Sequence, residues 1–394
     1  MFLILQKSVK SLQLILNELT LSLGFDSLTV TNSAYTQARA NLRHTAFIEL
    51  NQKAVVDVMY CDNNIKRYKG MRVLGIDGSK IRLPSTEDIK KEFGQISYGN
   101  HCPEVTGKHA YGMASVMYDV LNRIAIDSTL SIAKAYEVEL AIGHLAYTKE
   151  NDLLIYDRNY PSYFHLSFLI QCHKKFVIRC SRSSFKQARE MLQGKGRDSQ
   201  IVTLKPHHAK QKQIKDYDLP EEIMVRFVRV KLSTGEYEVL VTNLLNKQEF
   251  PTKEFLAIYA MRWGIEGFYG ILKTRLNLEN FTGKTAESVY QDFYSTIYLS
   301  GIESILTADI DEKLAKKPTK NKQQVNRAVS FNAIKNQAME LLFSEKNKEK
   351  VIKQLEDLFL TNPVSIRNAR KVPRQKRSAK HLLNHANRKR KICF

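Results

Sequence analysis

Residues 1–65 show no strand-like alternation, and Val9, Leu12, Leu16 and Leu19 fall three or four apart, the spacing of a helix that buries one face. This predicts an amphipathic first helix, stopped near Gly24, where a left-handed residue ends a helix readily. A second helix begins with Thr31 or Asn32 as N-cap and runs through SAYTQARANL. Short helices around a turn, with Gln37, Arg39 and Arg43 taken as exposed, match a helix-turn-helix reader of the major groove. They match any three-helix bundle equally well.

From about residue 71 the pattern turns to strands. MRVLGIDGSKIRLP is apolar and β-branched, and HAYGMASVMYDVLNRIAIDSTLS reads as two strands folded about Leu121 and Asn122. KAYEVELAIGHLAYTK has helical spacing and NDLLIYDRNY is a buried strand. PSYFHLSFLIQC is a helix with Pro161 at its first position, and KKFVIRCS is a further strand. Three strands, helix, strand, helix, strand is the order of an α/β, ribonuclease H-like core. A polar, basic stretch follows, then the strand pair IMVRFVRVKL and EYEVLVTNLL with Gly235 in its turn. Next come a long helix over about 252–278 and helical segments to about 360. The expected division is a helical DNA-binding region at 1–65 and a catalytic core at 66–182 and 251–300. A β-rich insertion occupies 183–250, a helical region 301–360, and a basic tail 361–394.

A chain of 394 residues suggests two to four such units. Against 40 acids stand 61 Lys and Arg, a net charge of +21, which calls for a polyanionic partner such as DNA or RNA. Eleven of those cations lie in 363–394, which holds no acid, so this tail is expected to stay disordered or to wrap a polyanion. With 43% hydrophobic residues and no apolar run near the ~20 needed to span a bilayer, a membrane protein is not expected. The apolar opening has no basic residue before it and no small-residue cleavage site after it. A cytoplasmic location is expected. Five scattered cysteines without CxxC spacing indicate neither a disulfide framework nor a zinc site.

Chemistry concentrates at three places. Asp77 lies inside VLGIDGSK, where a carboxylate in an apolar run needs a partner because burying an isolated charge costs more than a strand gains. Alone, it also fits a turn-starting Asp-Gly. Asp157 ends LLIYDRNY, and in the expected strand order it stands beside Asp77; alone, it also fits a strand-ending turn or a partner of Arg158. In AIYAMRWGIEGFYGILKTRL, Tyr259, Arg262, Glu266 and Lys273 share an arc of about 60° if one helix turns about 100° per residue. An aromatic, two cations and an acid on one face are unlike a core stripe, although a solvated face with an Arg262–Glu266 pair accounts for part of it. Trp263, about 100° away from Arg262, is expected in the core rather than stacked on a base. His101 with Cys102, Cys172 with His173, and His207 with His208 lack matched second pairs and are read as surface or packing residues.

These residues resemble the DDE transposases of the insertion-sequence-four family. The resemblance lies in DGSKIRLP at Asp77, YDVLN from Tyr118, DRNYPS at Asp157, VLVTNLL, the Y(2)R(3)E(6)K spacing of Tyr259, Arg262, Glu266 and Lys273, and the following NLENFTGKT and VYQDFYSTI. It runs from about residue 33 to 343; Asn159 stands where the family usually has glycine. The resemblance implies that Asp77, Asp157 and Glu266 are the catalytic, metal-binding residues, holding two Mg²⁺ ions for which Mn²⁺ can substitute. It implies DNA contacts by Tyr259, Arg262 and Lys273. It further implies terminal-inverted-repeat and target DNA as partners, a homodimer in the synaptic complex, and a bacterial, nucleoid-associated setting. The implied activity is cut-and-paste DNA transposition. The alternatives are a ribonuclease H-like nuclease that hydrolyses without joining, and a non-catalytic DNA-binding derivative.

Overall fold

The computed structural model describes residues 1–7, 10–25, 30–61, 65–98, 107–343 and 348–366. Val9, His101, Cys102 and most of the basic tail lie outside them.

The β-branched and apolar runs become strands β1 (Arg72–Arg82), β2 (Gln95–Tyr98), β3 (Gly107–Asp119), β4 (Ile124–Ile132), β5 (Asp152–Tyr156), β6 (Lys175–Cys180), β7 (Ser199–Leu204), β8 (Ile223–Lys231) and β9 (Tyr237–Thr242). All nine belong to one mixed sheet in the order β2-β3-β1-β5-β6-β9-β8-β7, with β4 also on β3. β3 runs antiparallel to β1 and β4, β5 is parallel to both β1 and β6, and β6 through β9, β8 and β7 continues antiparallel. Every residue of β5 is buried, as a parallel central strand covered on both faces requires.

Several expectations change at this level. The strands of 183–250 extend the same sheet, and β7 lies within the stretch that reads as polar and basic. The helix Glu87–Phe93 and strand β2 intervene between β1 and β3. The first helix is two, Phe2–Gln6 and Leu12–Ser22, with Gly24 left-handed at φ 79° beyond the second. Thr31 caps Asn32–Ala40 through Ala34 N. Pro161 precedes the cap instead of opening its helix: Ser162 accepts from His165 N, and the helix is Tyr163–Gln171. Across 252–278 the chain forms a short 3₁₀ turn, Thr252–Glu254, then the helices Phe255–Ala260 and Trp263–Thr274.

Arg39 is not exposed. Its guanidinium donates to Asp292 at 2.9 Å, Gln291 at 2.8 Å and Thr282 at 2.7 Å, tying the N-terminal helices to the 30-residue helix Ala286–Ala315. That helix lies against one face of the sheet with Trp263–Thr274; the Glu137–Gly143 and Tyr163–Gln171 helices cover the other. No helix among the described residues is long and apolar enough to cross a membrane.

Candidate active site

The last residue pair of the β1/β5 ladder is Ile76 with Tyr156. One step further, Asp77 and Asp157 stand side by side. Side chains alternate along a strand, so Asp77 shares a face with Val73, and Asp157 with Leu153 and Ile155. Those three pack with Phe255, Ile258 and Tyr259. Both carboxylates therefore face the segment 255–274.

Two glycines let that segment come close. A Cβ on Gly75 would lie 3.2 Å from Ile265 and from Val120, and one on Gly264 would lie 3.0 Å from Val120. Further along the helix the Tyr269 hydroxyl reaches the backbone carbonyls of Asp77 at 3.0 Å and Ala114 at 3.2 Å. Lys273 Nζ donates to Ser79 Oγ and to the carbonyl of Lys80, both at 2.8 Å. Contacts four residues apart on the helix thus meet positions two apart on β1. Four helical residues rise about 6 Å and two strand residues about 6.6 Å, so helix and strand run in step. Glu266, next to Ile265, lies at the Gly75 end of this line.

The expected single face is modified where the two helices meet. Met261, Arg262, Gly264 and Ile265 donate to carbonyls three residues back, those of Ile258, Tyr259, Met261 and Arg262, which tightens the turn. Arg262 is only 3% exposed. Its Nη2 donates to Glu266 Oε1 at 2.6 Å, and its guanidinium lies 5.4 Å from the Tyr259 ring centre and 5.2 Å from that of Trp263. Arg262 Nε is buried without a hydrogen-bond partner among the described residues. Tyr259 is also buried, and its hydroxyl donates to Asp157 Oδ1 at 3.2 Å. Trp263, against expectation, is 59% exposed.

Burial pushes the Asp77 carboxyl up to about 7. The Gly78 amide, 3.0 Å from Oδ1, and the charge of Arg262 oppose the rise, while the carboxylates of Asp157 and Glu137 add to it. Arg262 feels the charges of both Asp157 and Glu266, and its own pKa is raised by its anionic partners against burial. The guanidinium is thus the cation among these acids. Asp77 and Asp157 come together; the Glu266 carboxylate is turned to Arg262. Among the described residues, no three Asp, Glu, His or Cys side chains converge closely enough to hold a metal ion. Lys273 lies along β1 and not among the carboxylates.

Sequence reasoning did not single out Glu137 or Tyr269. The i,i+4 recurrence of Ile265, Tyr269 and Lys273 was a readable signal for Tyr269. Nothing in KAYEVELA separates Glu137 from an ordinary helix-opening acid.

The chain thus holds two acids where adjacent parallel strands of a mixed sheet end. The chain belongs to the transposase DDE domain family, whose model matches residues 68–299, more than half of its length. No curated protein matches it. Among solved structures it is similar to a piggyBac transposase, in a synaptic complex with hairpin DNA, at 10% identity and a TM-score of 0.39. That match covers 79% of this chain, which spans 60% of the piggyBac chain.

Proposed function

We propose that this chain is a DNA transposase of the insertion-sequence-four type, which binds terminal inverted repeats and carries out strand cleavage and strand transfer. The observation that carries the reading is the pairing of Asp77 with Asp157 on one face of adjacent parallel strands, under the helix bearing Glu266. The β4-β3-β1-β5-β6 portion, three antiparallel strands followed by two parallel ones, supports a ribonuclease H-like core.

The donor set fits divalent metal. Two hard carboxylates stand where adjacent strands end, and burial, which raises the Asp77 pKa, disfavours its charged form unless a cation offsets it. Asp77, Asp157 and Glu266 would hold two Mg²⁺ ions, or Mn²⁺ in their place; bound there, the metals lower the pKa of the attacking oxygen and stabilise the leaving one. Glu266 must exchange its bond to Arg262 for this role. DNA supplies a route, because a guanidinium pairs bidentately with phosphate, and Arg262 drawn to the backbone releases the Glu266 carboxylate. Tyr259 holds Asp157 in place and lies next to that phosphate; Lys273 adds charge beyond it. Water then opens a phosphodiester at the element's end, and the freed 3′-hydroxyl attacks the target strand, displacing a target 3′-oxygen. Joining two ends calls for a homodimer.

The test uses a duplex carrying the element's terminal repeat with Mn²⁺. Asp77→Asn, Asp157→Asn and Glu266→Gln should each lose cleavage by about a thousandfold or more while retaining duplex binding. Substantial cleavage by Glu266→Ala sinks the assignment. Pre-cut ends that are never joined to target DNA would make the protein a nuclease.

A further inference from the structure

The joint between the sheet and the segment 255–274 is held by one side chain. Arg226 lies within β8, and side chains alternate along a strand, so it shares a face with Val228 and Val230. Those two pack with Leu244, Phe250, Phe255 and Tyr259. Arg226 is fully buried. Its Nε donates to Ser199 Oγ on β7 at 2.8 Å, Nη1 to the carbonyls of Phe250 at 2.7 Å and Leu244 at 3.4 Å, and Nη2 to Thr252 Oγ1 at 3.1 Å. The guanidinium also lies 5.1 Å from the centre of the Phe255 ring, at the first residue of the helix Phe255–Ala260. One turn further, the Tyr259 hydroxyl meets Asp157. Leu244 and Phe250 bound the loop that leads out of β9, so a single fork of donors ties both ends of that loop and the entry to the helix. An ammonium could not span them, because only a guanidinium holds its donors in a rigid plane.

Stability alone does not account for this choice. Among the described residues no carboxylate pairs with Arg226, and burial lowers its pKa. Taking a cation out of water is costly, and an apolar side chain would fill the same space without that cost. What the guanidinium adds is direction. Arg229, further along β8 on the opposite face, makes a similar set of bonds: Nε to Asp198, Nη1 to the carbonyls of Met191 and Lys195, and Nη2 to that of Gly196. Those lead only into the chain before β7. The two arginines differ in where their bonds lead.

We propose that Arg226 is a positioning residue of the candidate active site: by fixing the entry to the helix Phe255–Ala260, it sets where Tyr259 and Arg262 stand against Asp157 and Glu266. The proposal rests on the reading of those four residues as the site. Through Arg226, β7 and β8 brace the segment that carries the site, although neither strand contributes a residue to it. Without the fork, the entry can move while the rest of the core keeps the fold. A displacement of about 1 Å is enough to slow chemistry by about a hundredfold.

The experiment compares Arg226→Met, Arg226→Lys and Arg229→Met in the full chain. One readout is the emission of Trp263, the only tryptophan, whose ring centre lies 5.2 Å from the Arg262 guanidinium. The other is the single-turnover cleavage rate of the terminal-repeat duplex with Mn²⁺, alongside duplex affinity. Both Arg226 variants should change the Trp263 emission of the free protein and slow cleavage by about tenfold to a hundredfold, with affinity held within about twofold. Arg229→Met, which loses a similar set of bonds, should keep wild-type emission and wild-type rate per folded molecule. Wild-type emission or wild-type rate in Arg226→Met overturns the proposal, and so does an equal loss of rate in Arg229→Met. Should Arg226→Met fail to unfold cooperatively in urea, Arg226→Lys carries the test, and wild-type behaviour there overturns it. If the wild-type protein does not cleave the duplex, the functional reading falls, and the emission of the free protein alone decides whether Arg226 positions the helix.

Discussion

The two ends of one short ladder carry opposite solutions to the same problem. At the first residue pair shared by β1 and β5, Arg72 faces Asp152, with Nε–Oδ1 at 2.7 Å and Nη2–Oδ2 at 2.5 Å, both side chains buried. Just past the last pair, Asp77 faces Asp157, acid against acid. The first end is electrically closed and the second is open. A strand pair can hold two like charges in register only if something outside the ladder supplies positive charge. In this structure that is Arg262; under the proposed function it is metal.

Breaking the closed end should have the largest effect. Asp152→Ala leaves the Arg72 guanidinium buried without its anion, a loss of about 3–5 kcal/mol, read as a lower midpoint in urea unfolding. Asp157→Asn, at the open end, should leave the metal-free protein's midpoint unchanged or raise it. A loss from Asp157→Asn as large as that from Asp152→Ala would erase the contrast.

The cover over the open end comes next. Gly75→Ala puts a methyl 3.2 Å from both Ile265 and Val120, so the helix must shift. Overpacking of this kind costs about 1–3 kcal/mol, and the shift moves Glu266, so cleavage should fall more than stability does. Equal cleavage by Gly75→Ala and wild type would show that the close approach is not needed.

The smallest effect is the most specific to the open end. Asp77, at about 7, must lose its proton to bind metal, so Mn²⁺ affinity should rise by about tenfold from pH 6 to pH 8, with proton release greatest near pH 6. The linkage to folding has the opposite sign. Because the folded-state pKa lies above the unfolded carboxyl value, the contribution of Asp77 is fully present below about pH 4 and is lost as pH rises towards 7. Metal-free Asp77→Asn should therefore gain stability over wild type as pH rises through this window. A pH-independent difference between the two would remove the raised pKa from the account.

What the chain discloses about itself follows from how local each cause is. Alternation and β-branching in VLGIDGSK, HAYGMASVMYD and LLIYD marked the central strands, because burial on both faces leaves its imprint residue by residue. Asp77 and Asp157 were conspicuous as charges inside or ending apolar runs. Arg39 was read as exposed because its partners Gln291 and Asp292 are some 250 residues away, and no local pattern announces them. The tightening at 261–262 was equally hidden, since a change from i→i+4 to i→i+3 bonding needs neither proline nor a break in apolar spacing. β7 escaped because it lies at one end of the sheet order, where most of its side chains are not buried.

The matched advance of helix and strand at Ile265, Tyr269 and Lys273 acts as a vernier. Substitutions along it alter single contacts, whereas a change of length alters all that follow. One residue inserted between Ile265 and Tyr269 turns every later side chain by about 100°, taking the tyrosine off the Asp77 carbonyl and the lysine off Ser79 together. Outside Glu266 and Lys273, this stretch of chain therefore bears single substitutions far better than it bears insertion or deletion.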